Sequence, residues 1–258
     1  MAKYIPIECS MRKGANIFFR IKAKLKKIFH KSISDPFAFP IIINNYNRLG
    51  YLQKQITWLE NAGYHNIYII DNCSTYEPLL AYYDSLPYTI YKLDRNKGFR
   101  SIWETHLILN FEMDYYVYTD PDILPSVNCP SDILSYMKNL LAKYTDAGKI
   151  GFSLAIDDLP DYYILKDKVI AYEETYWKNK INDEVYEALI DTTFALYRPY
   201  AKGDWQLKAY RTAYPYTAHH LPWYENTSVP DEEEIFYIEH SNKNSLWYSN
   251  LKQNTKSE

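Results

Sequence analysis

Between residues 39 and 156 short apolar runs alternate with segments of helical period, and that alternation leaves few folds open. Phe39-Pro40-Ile41-Ile42-Ile43-Asn44 is a continuous apolar run ending in a polar residue, the pattern of a strand covered on both faces. Leu49, Leu52, Ile56 and Leu59 then follow helical spacing, and Gly63 stands where a C-cap glycine would. The alternation continues with a strand over 66–70, a short helix over 78–85, a strand over 88–93 and a helix over 101–110. A strand over 115–119, a helix from Pro130-Ser131-Asp132 to about Tyr144 and a strand over 150–156 follow. Such repetition predicts an α/β fold, a mostly parallel sheet with helices on both faces. After Asp157-Asp158-Leu159-Pro160 the pattern loosens: 180–190 reads as a helix, 192–198 as a strand, and the remainder is rich in aromatics, prolines and polar residues.

The run Tyr115-Tyr116-Val117-Tyr118-Thr119 leads directly into Asp120-Pro121-Asp122-Ile123. In extended backbone, residues two apart point to the same side, so Asp120 and Asp122 can converge on one cation. Pro121 lacks a donor and ends the ladder. The pair is thereby left at a strand's C-terminal edge, where open α/β sheets bind ligands. Two other strand ends carry polar residues, Asn44-Asn45-Tyr46-Asn47-Arg48 and Asp71-Asn72-Cys73-Ser74-Thr75. Each alone also fits an ordinary turn. In a parallel sheet all three lie along one edge, and together they read as a nucleotide site. Asn96-Lys97-Gly98-Phe99-Arg100 adds a flexible glycine and two cations beside that rim. Oxygen ligands predominate, so the expected ion is Mg2+ or Mn2+ bridging a diphosphate. The P-loop and G-x-G-x-x-G patterns, the G-x-S-x-G elbow and Cys/His zinc spacings are all missing.

Charge is unevenly distributed. Nine of the 29 Lys and Arg, but only one of the 32 Asp and Glu, fall in residues 1–34, which leaves the rest near −11. The body is therefore unlike a nucleic-acid-binding surface, whereas the N-terminal arm is strongly basic. Over 16–30, Phe18, Ile21, Leu25, Ile28 and Phe29 share a helical face, with Arg20, Lys22, Lys24, Lys26 and Lys27 around it. A basic amphipathic helix fits the surface of an anionic membrane; packing on the acidic body, or no structure, are the alternatives. Ser34-Asp35-Pro36 marks the expected boundary between this arm (1–35) and one domain over 36–250, with a polar tail over 251–258. Cys9, Cys73 and Cys129 show no paired or metal-type spacing, which predicts a reducing compartment without a disulfide framework. The 28 tyrosines add modest support for a ligand cleft with aromatic walls.

Four blocks in order, Pro40-Ile-Ile-Ile-Asn-Asn-Tyr-Asn-Arg48, Ile69-Ile-Asp-Asn-Cys-Ser-Thr75, Asn96-Lys-Gly98 and Asp120-Pro-Asp122, resemble the successive blocks of GT-A fold, family-2-like glycosyltransferases. The resemblance implies a Rossmann-like sheet, a nucleotide-sugar donor, usually a UDP-sugar, and a divalent metal. It implies that 36–125 is the nucleotide-sugar half and 126–250 the acceptor half. Carried over by position, Asn45 and Asp71 would hold the base and ribose region, with Asn44, Asn47, Arg48, Asn96, Gly98 and Arg100 along the same rim. Asp120 would serve the ribose and Asp122 the metal and diphosphate. Ala218-His219-His220-Leu221-Pro222-Trp223-Tyr224 resembles a segment of bacterial surface-polysaccharide transferases in which a late histidine, here His220, is a metal ligand. Inverting members place a carboxylate base between the Asp-x-Asp and that histidine, which points to Asp191; the family's Glu-Asp form is absent, since Ile190 precedes it. Asp157, Asp158 and Glu225 are the other carboxylates on offer, and Asp157, Asp158, Trp223 and Tyr224 are expected acceptor contacts. The implied activity is hexosyl transfer from a nucleotide sugar to a saccharide or lipid-linked saccharide in capsule, O-antigen or lipopolysaccharide assembly, at the cytoplasmic face of the membrane. The competing readings are a noncatalytic sugar-binding or scaffold protein on a degenerate form of this fold, and a sugar-phosphate nucleotidyltransferase, whose N-terminal glycine-rich signature is absent.

Overall fold

The computed structural model describes residues 2–9, 30–191, 193–201, 203, 206–226 and 228–241. One sheet runs through them, built from β1 (Lys3–Ile7), β2 (Ile41–Asn45), β3 (Ile67–Asp71), β4 (Thr89–Leu93), β5 (Tyr116–Thr119), β6 (Ile123–Pro125), β7 (Lys149–Leu154), β8 (Val185–Glu187), β9 (Ala195–Tyr197) and β10 (Ala209–His220). The spatial order is β1-β4-β3-β2-β5-β9-β7-β10-β6, with β8 also on β10. The block β1 to β5 is parallel throughout. β9 enters antiparallel between β5 and β7, and β10 is again parallel to β7. β6 and β8 pair antiparallel with β10.

The helices are α1 (Gly50–Asn61), α2 (Glu77–Ser85), α3 (Ser101–Glu104), α4 (Ile133–Lys143), α5 (Lys166–Glu173) and α6 (Glu232–His240). Alternation along the central strands separates two cores. Ile41 and Ile43 of β2 pack with Leu52, Ile56 and Leu59 of α1, Leu79 and Tyr83 of α2 and Met137 of α4. Ile42 faces the other way, onto Ile102, Leu107, Ile108 and Phe111. Each fully buried side chain of this size contributes about 1.5–3 kcal/mol, which is why continuous apolar runs are needed in the middle of the sheet.

From β2 the chain moves outward to β3 and β4 and then returns to β5 on the other side of β2. The crevice between the C-terminal ends of β2 and β5 is therefore a topological switch point, the place where such sheets accept ligands.

Several expectations need correction. The sheet reaches into the arm, because Lys3–Ile7 pairs with β4 from Lys3↔Thr89 to Ile7↔Leu93. Over 180–190 there is no helix but a turn leading into β8. Asn182 Oδ1 accepts from the amides of Glu184 (2.9 Å) and Val185 (3.2 Å), and fully buried Val185 pairs with Thr212. The helix expected over 101–110 breaks after Glu104, where the Thr105 hydroxyl bonds back to the Ser101 carbonyl at 2.6 Å and His106 takes a φ of 59°. The strand expected over 192–198 is shorter, Ala195–Tyr197. The amphipathic stretch over 16–29 and the tail over 251–258 lie outside the described residues. No described helix is long and apolar enough to cross a membrane.

Candidate active site

β5 stops at Thr119, and the following Asp-Pro-Asp turn is gripped from below by a residue that local patterning did not single out. Gln55, fully buried on α1, donates through Nε2 to the carbonyls of Asp120 (2.9 Å) and Ile123 (2.7 Å). A signal was available: Gln55 sits on the apolar face set by Leu52, Ile56 and Leu59, where an amide needs a specific partner. The far side of the turn is held by β10. His220 is registered opposite Ile123, and the Leu221 amide donates to the Asp122 carbonyl at 2.8 Å. This brings His220 Nε2 to 3.4 Å from Asp122 Oδ2. Burial works against the Asp122 charge, but the facing His220 and Arg48 outweigh it and hold the carboxyl below the ordinary range. Asp122 Oδ1 and His220 Nδ1 are buried without a hydrogen-bond partner.

Among the described residues no group of three or more His, Cys, Asp or Glu converges for a metal. The Asp122 carboxylate would still suit a divalent ion, because Mg2+-type sites use one or two carboxylates and take the rest from phosphates and water, with His220 beside it at 3.4 Å. The unpartnered Asp122 oxygen is a free donor atom of the required kind.

The polar residues on the other strand ends mostly brace the rim. Asn45 is fully buried and donates to the Arg48 carbonyl (3.0 Å) and the Tyr83 hydroxyl (2.9 Å). Asn47, also fully buried with a φ of 52°, accepts from the amides of Thr75 (2.7 Å) and Tyr76 (3.1 Å), which ties the first rim loop to the second. Asp71 accepts from the Ser74 amide at 3.1 Å; burial raises its pKa, against hydrogen bonds from Ser74 and Tyr83. Asn44 accepts from the Ser101 hydroxyl at 2.7 Å. Asn72, another residue that spacing alone did not mark, accepts from the Lys97 amide (2.7 Å) and donates to the Gly98 carbonyl (3.0 Å). It thereby docks the Asn96–Arg100 turn on the rim. Asn96 Oδ1 closes that turn on the Gly98 amide at 2.7 Å, and Gly98 takes a φ of 64° with open space where a side chain would be. Asn96, Lys97 and Arg100 are half-buried there.

Arg48 is occupied by the C-terminal part of the chain. It pairs with Glu234 of α6, and its guanidinium lies 3.6 Å from the Tyr237 ring centroid. The Tyr237 phenol is pushed up to about 12 by burial, opposed by Arg48, with Asp122 and Asp120 adding to the rise. Helix α6 therefore roofs the Asp-Pro-Asp end of the rim.

Asp191 is exposed in the loop before β9. Because Ala195 pairs with Tyr118, that loop lies on the same sheet edge as Asp120. Both carboxylates add to the burial that raises the Tyr197 phenol. Buried Lys149 donates to the Ile190 carbonyl at 2.6 Å and fixes the approach to Asp191. The expected acceptor group divides. Asp157 is exposed. Asp158 pairs with His219 at 3.0 Å and takes the Tyr224 hydroxyl, with about half of its side chain still exposed. Trp223 is 2% exposed and packs against His220 at a centroid distance of 4.6 Å, so it backs the histidine instead of facing an acceptor. Glu225 lines a separate recess beside Lys54 and Glu233.

The sheet order, the switch point and the carboxylate-bearing turn above it define a mixed α/β protein compatible with a Rossmann-like GT-A architecture. No protein-family model matches the chain, and no curated protein is similar to it. Among solved structures it is similar to glucosyl-3-phosphoglycerate synthase from Mycobacterium tuberculosis in complex with phosphoglyceric acid, at 10% identity and a TM-score of 0.38. The alignment covers 76% of this chain and 64% of that one, so this chain spans less than two thirds of that protein's length. A likeness of this degree bears on neither activity nor substrate.

Proposed function

We propose that this chain is a metal-assisted glycosyltransferase that moves a sugar from a nucleotide-sugar donor, a UDP-hexose first, to a saccharide or lipid-linked saccharide, with inversion. The basic arm fits work at the cytoplasmic face of a membrane, in the assembly of a bacterial surface polysaccharide. One observation carries the reading: beside the switch point, Asp122 in the turn between β5 and β6 meets His220 at the end of β10 at 3.4 Å, with an unpartnered oxygen on the carboxylate. Asp122 and His220 would hold the ion, and Mg2+ or Mn2+ bound there would offset the charge of a departing diphosphate. Asp120 stands beside them for the ribose. Asn44, Asn45, Asn47, Asp71 and Asn72 keep the rim loops in the shape that receives the nucleotide. Asp191 takes the proton from the acceptor hydroxyl. The hydroxyl oxygen bonds to the anomeric carbon while the bond to the diphosphate breaks, and the nucleoside diphosphate leaves with the electron pair. Lys97 and Arg100, on the turn beside the rim, offset the charge it carries away.

The test is thermal unfolding with UDP, GDP and UDP-sugars, each with and without Mn2+. A Mn2+-dependent rise with uridine nucleotides, abolished in Asp122→Asn, is expected. No rise with any nucleotide would favour the noncatalytic reading, and an undiminished rise in Asp122→Asn would remove the metal role.

A further inference from the structure

Beyond the nucleotide rim, α5 with the turn that follows it, the turn carrying Phe99 and the loop before β9 border an open hollow of about 300 Å3 lined by Phe99, Tyr172, Tyr176, Leu189, Ile190 and Asp191. None of its aromatics was marked by sequence patterning. Phe99 is 52% exposed, Tyr172 50% and Leu189 42%. Large apolar side chains left open around one concavity are the mark of a ligand surface, not of a folding core. The cavity touches both halves of the candidate active site, since Phe99 belongs to the turn that Asn72 docks on the rim and Asp191 is the carboxylate on the same sheet edge as Asp120.

We propose that this cavity is the acceptor subsite and that it takes an uncharged saccharide ring, an assignment that rests on the transferase reading above. Aromatic faces are electronegative and attract the C–H-bearing face of a sugar ring, whereas hydroxyl groups remain free to meet Asp191. The charge at the cavity selects against anions. Among the described lining residues Asp191 is the one charged group, and it repels a phosphate or carboxylate. Behind the wall, the Arg211 cation is not open to such a group: it is 3% exposed, pairs with Glu173 at 2.9 Å and donates to the Leu189 carbonyl at 2.8 Å. Its guanidinium lies 4.0 Å from the Tyr176 ring centroid, so its role is to stiffen the aromatic wall. Tyr176 in turn donates to the Tyr172 hydroxyl at 2.8 Å. Trp223 is buried and Asp158 already holds His219 and Tyr224, which favours an acceptor on this side of the sheet edge.

The experiment reads binding without requiring turnover. Saturation-transfer NMR on the full chain compares methyl glycosides of neutral hexoses with hexose 6-phosphates and hexuronic acids, for the parent, Phe99→Ala and Tyr172→Ala. Both side chains are half exposed, so neither truncation opens the core. The expected result is a signal from the neutral glycosides alone, weakened about tenfold or more in both variants. Neutral glycosides that bind all three proteins equally, or binding confined to the phosphates and uronic acids, would overturn the subsite. The UDP and Mn2+ thermal shift, measured on the same samples, reports the nucleotide reading separately. Its absence in the parent sinks that reading whatever the glycosides do, and its presence alongside unchanged glycoside signals sinks the subsite alone.

Discussion

Asp71 is a carboxylate held at the sheet edge against the cost of its own burial. Burial raises its pKa, and only part of that rise is offset by Ser74 and Tyr83. A carboxyl whose folded value lies above its unfolded one contributes fully below the ordinary aspartate range and loses that contribution as the pH climbs through the raised value. Above that raised value the parent carries a buried charge. An asparagine keeps an oxygen for the Ser74 amide and carries no charge to bury. Asp71→Asn is therefore expected to unfold at a higher temperature than the parent at pH 7, with the difference shrinking as the pH falls toward about 4. Circular dichroism melts across that range check it; a lower midpoint at neutral pH would mean that the ionised carboxylate holds the loop. Gln55 makes the complementary point: its position on an apolar helix face was readable, but its partners, the carbonyls of Asp120 and Ile123, were not, because they belong to another element.

At the scale of elements, α6 is the unusual one. None of its residues is fully buried, and its contacts run largely through charge and aromatic edges. Glu233 accepts from the amides of Leu49 (3.0 Å) and Gly50 (2.9 Å), so its carboxylate caps the otherwise unsatisfied N-terminus of α1. Glu234 holds Arg48. A helix attached in this way opens more readily than one with a buried face. Glu233→Ala is expected to cost about 1 kcal/mol, the usual penalty for losing an N-terminal cap, and to speed amide hydrogen exchange across 232–240 more than across α4. Uniform exchange in the two helices would show that the carboxylate does not secure α6. Sequence patterning missed this helix, although Asp231 caps the Glu234 amide at 2.8 Å in a D-x-x-E arrangement that is a local start signal. Its docking site on the rim had no such signal.

For the whole molecule, the basic arm and the sheet cannot be separated at residue 35. β1 covers the edge of β4, and removing it would expose a strand edge that invites association with other chains. A truncation at residue 34 would therefore mix two effects. Charge reversal avoids this: Lys22, Lys24, Lys26 and Lys27→Glu is expected to lose sedimentation with anionic lipid vesicles and to keep the parent's melting temperature. Equal sedimentation of the two proteins would end the membrane-surface proposal.

What the amino-acid sequence determined by itself was local. β2 to β5 and β7, the helices α1, α2 and α4, and the polar strand ends of one rim follow from periodicity, from Pro and Gly placement and from the need to bury continuous apolar runs. What the tertiary structure decided was which distant residues meet. His220 reaches Asp122 because β10 pairs antiparallel with β6 in one register, and a shift of a single residue would turn its side chain to the other face. Asp191 shares an edge with Asp120 because β9 runs antiparallel between β5 and β7. Phe99 joins Tyr172 and Tyr176 because Asn72 docks the turn that carries it. Strand order, register and loop docking are set by packing across the whole sheet, and no short stretch of sequence contains them.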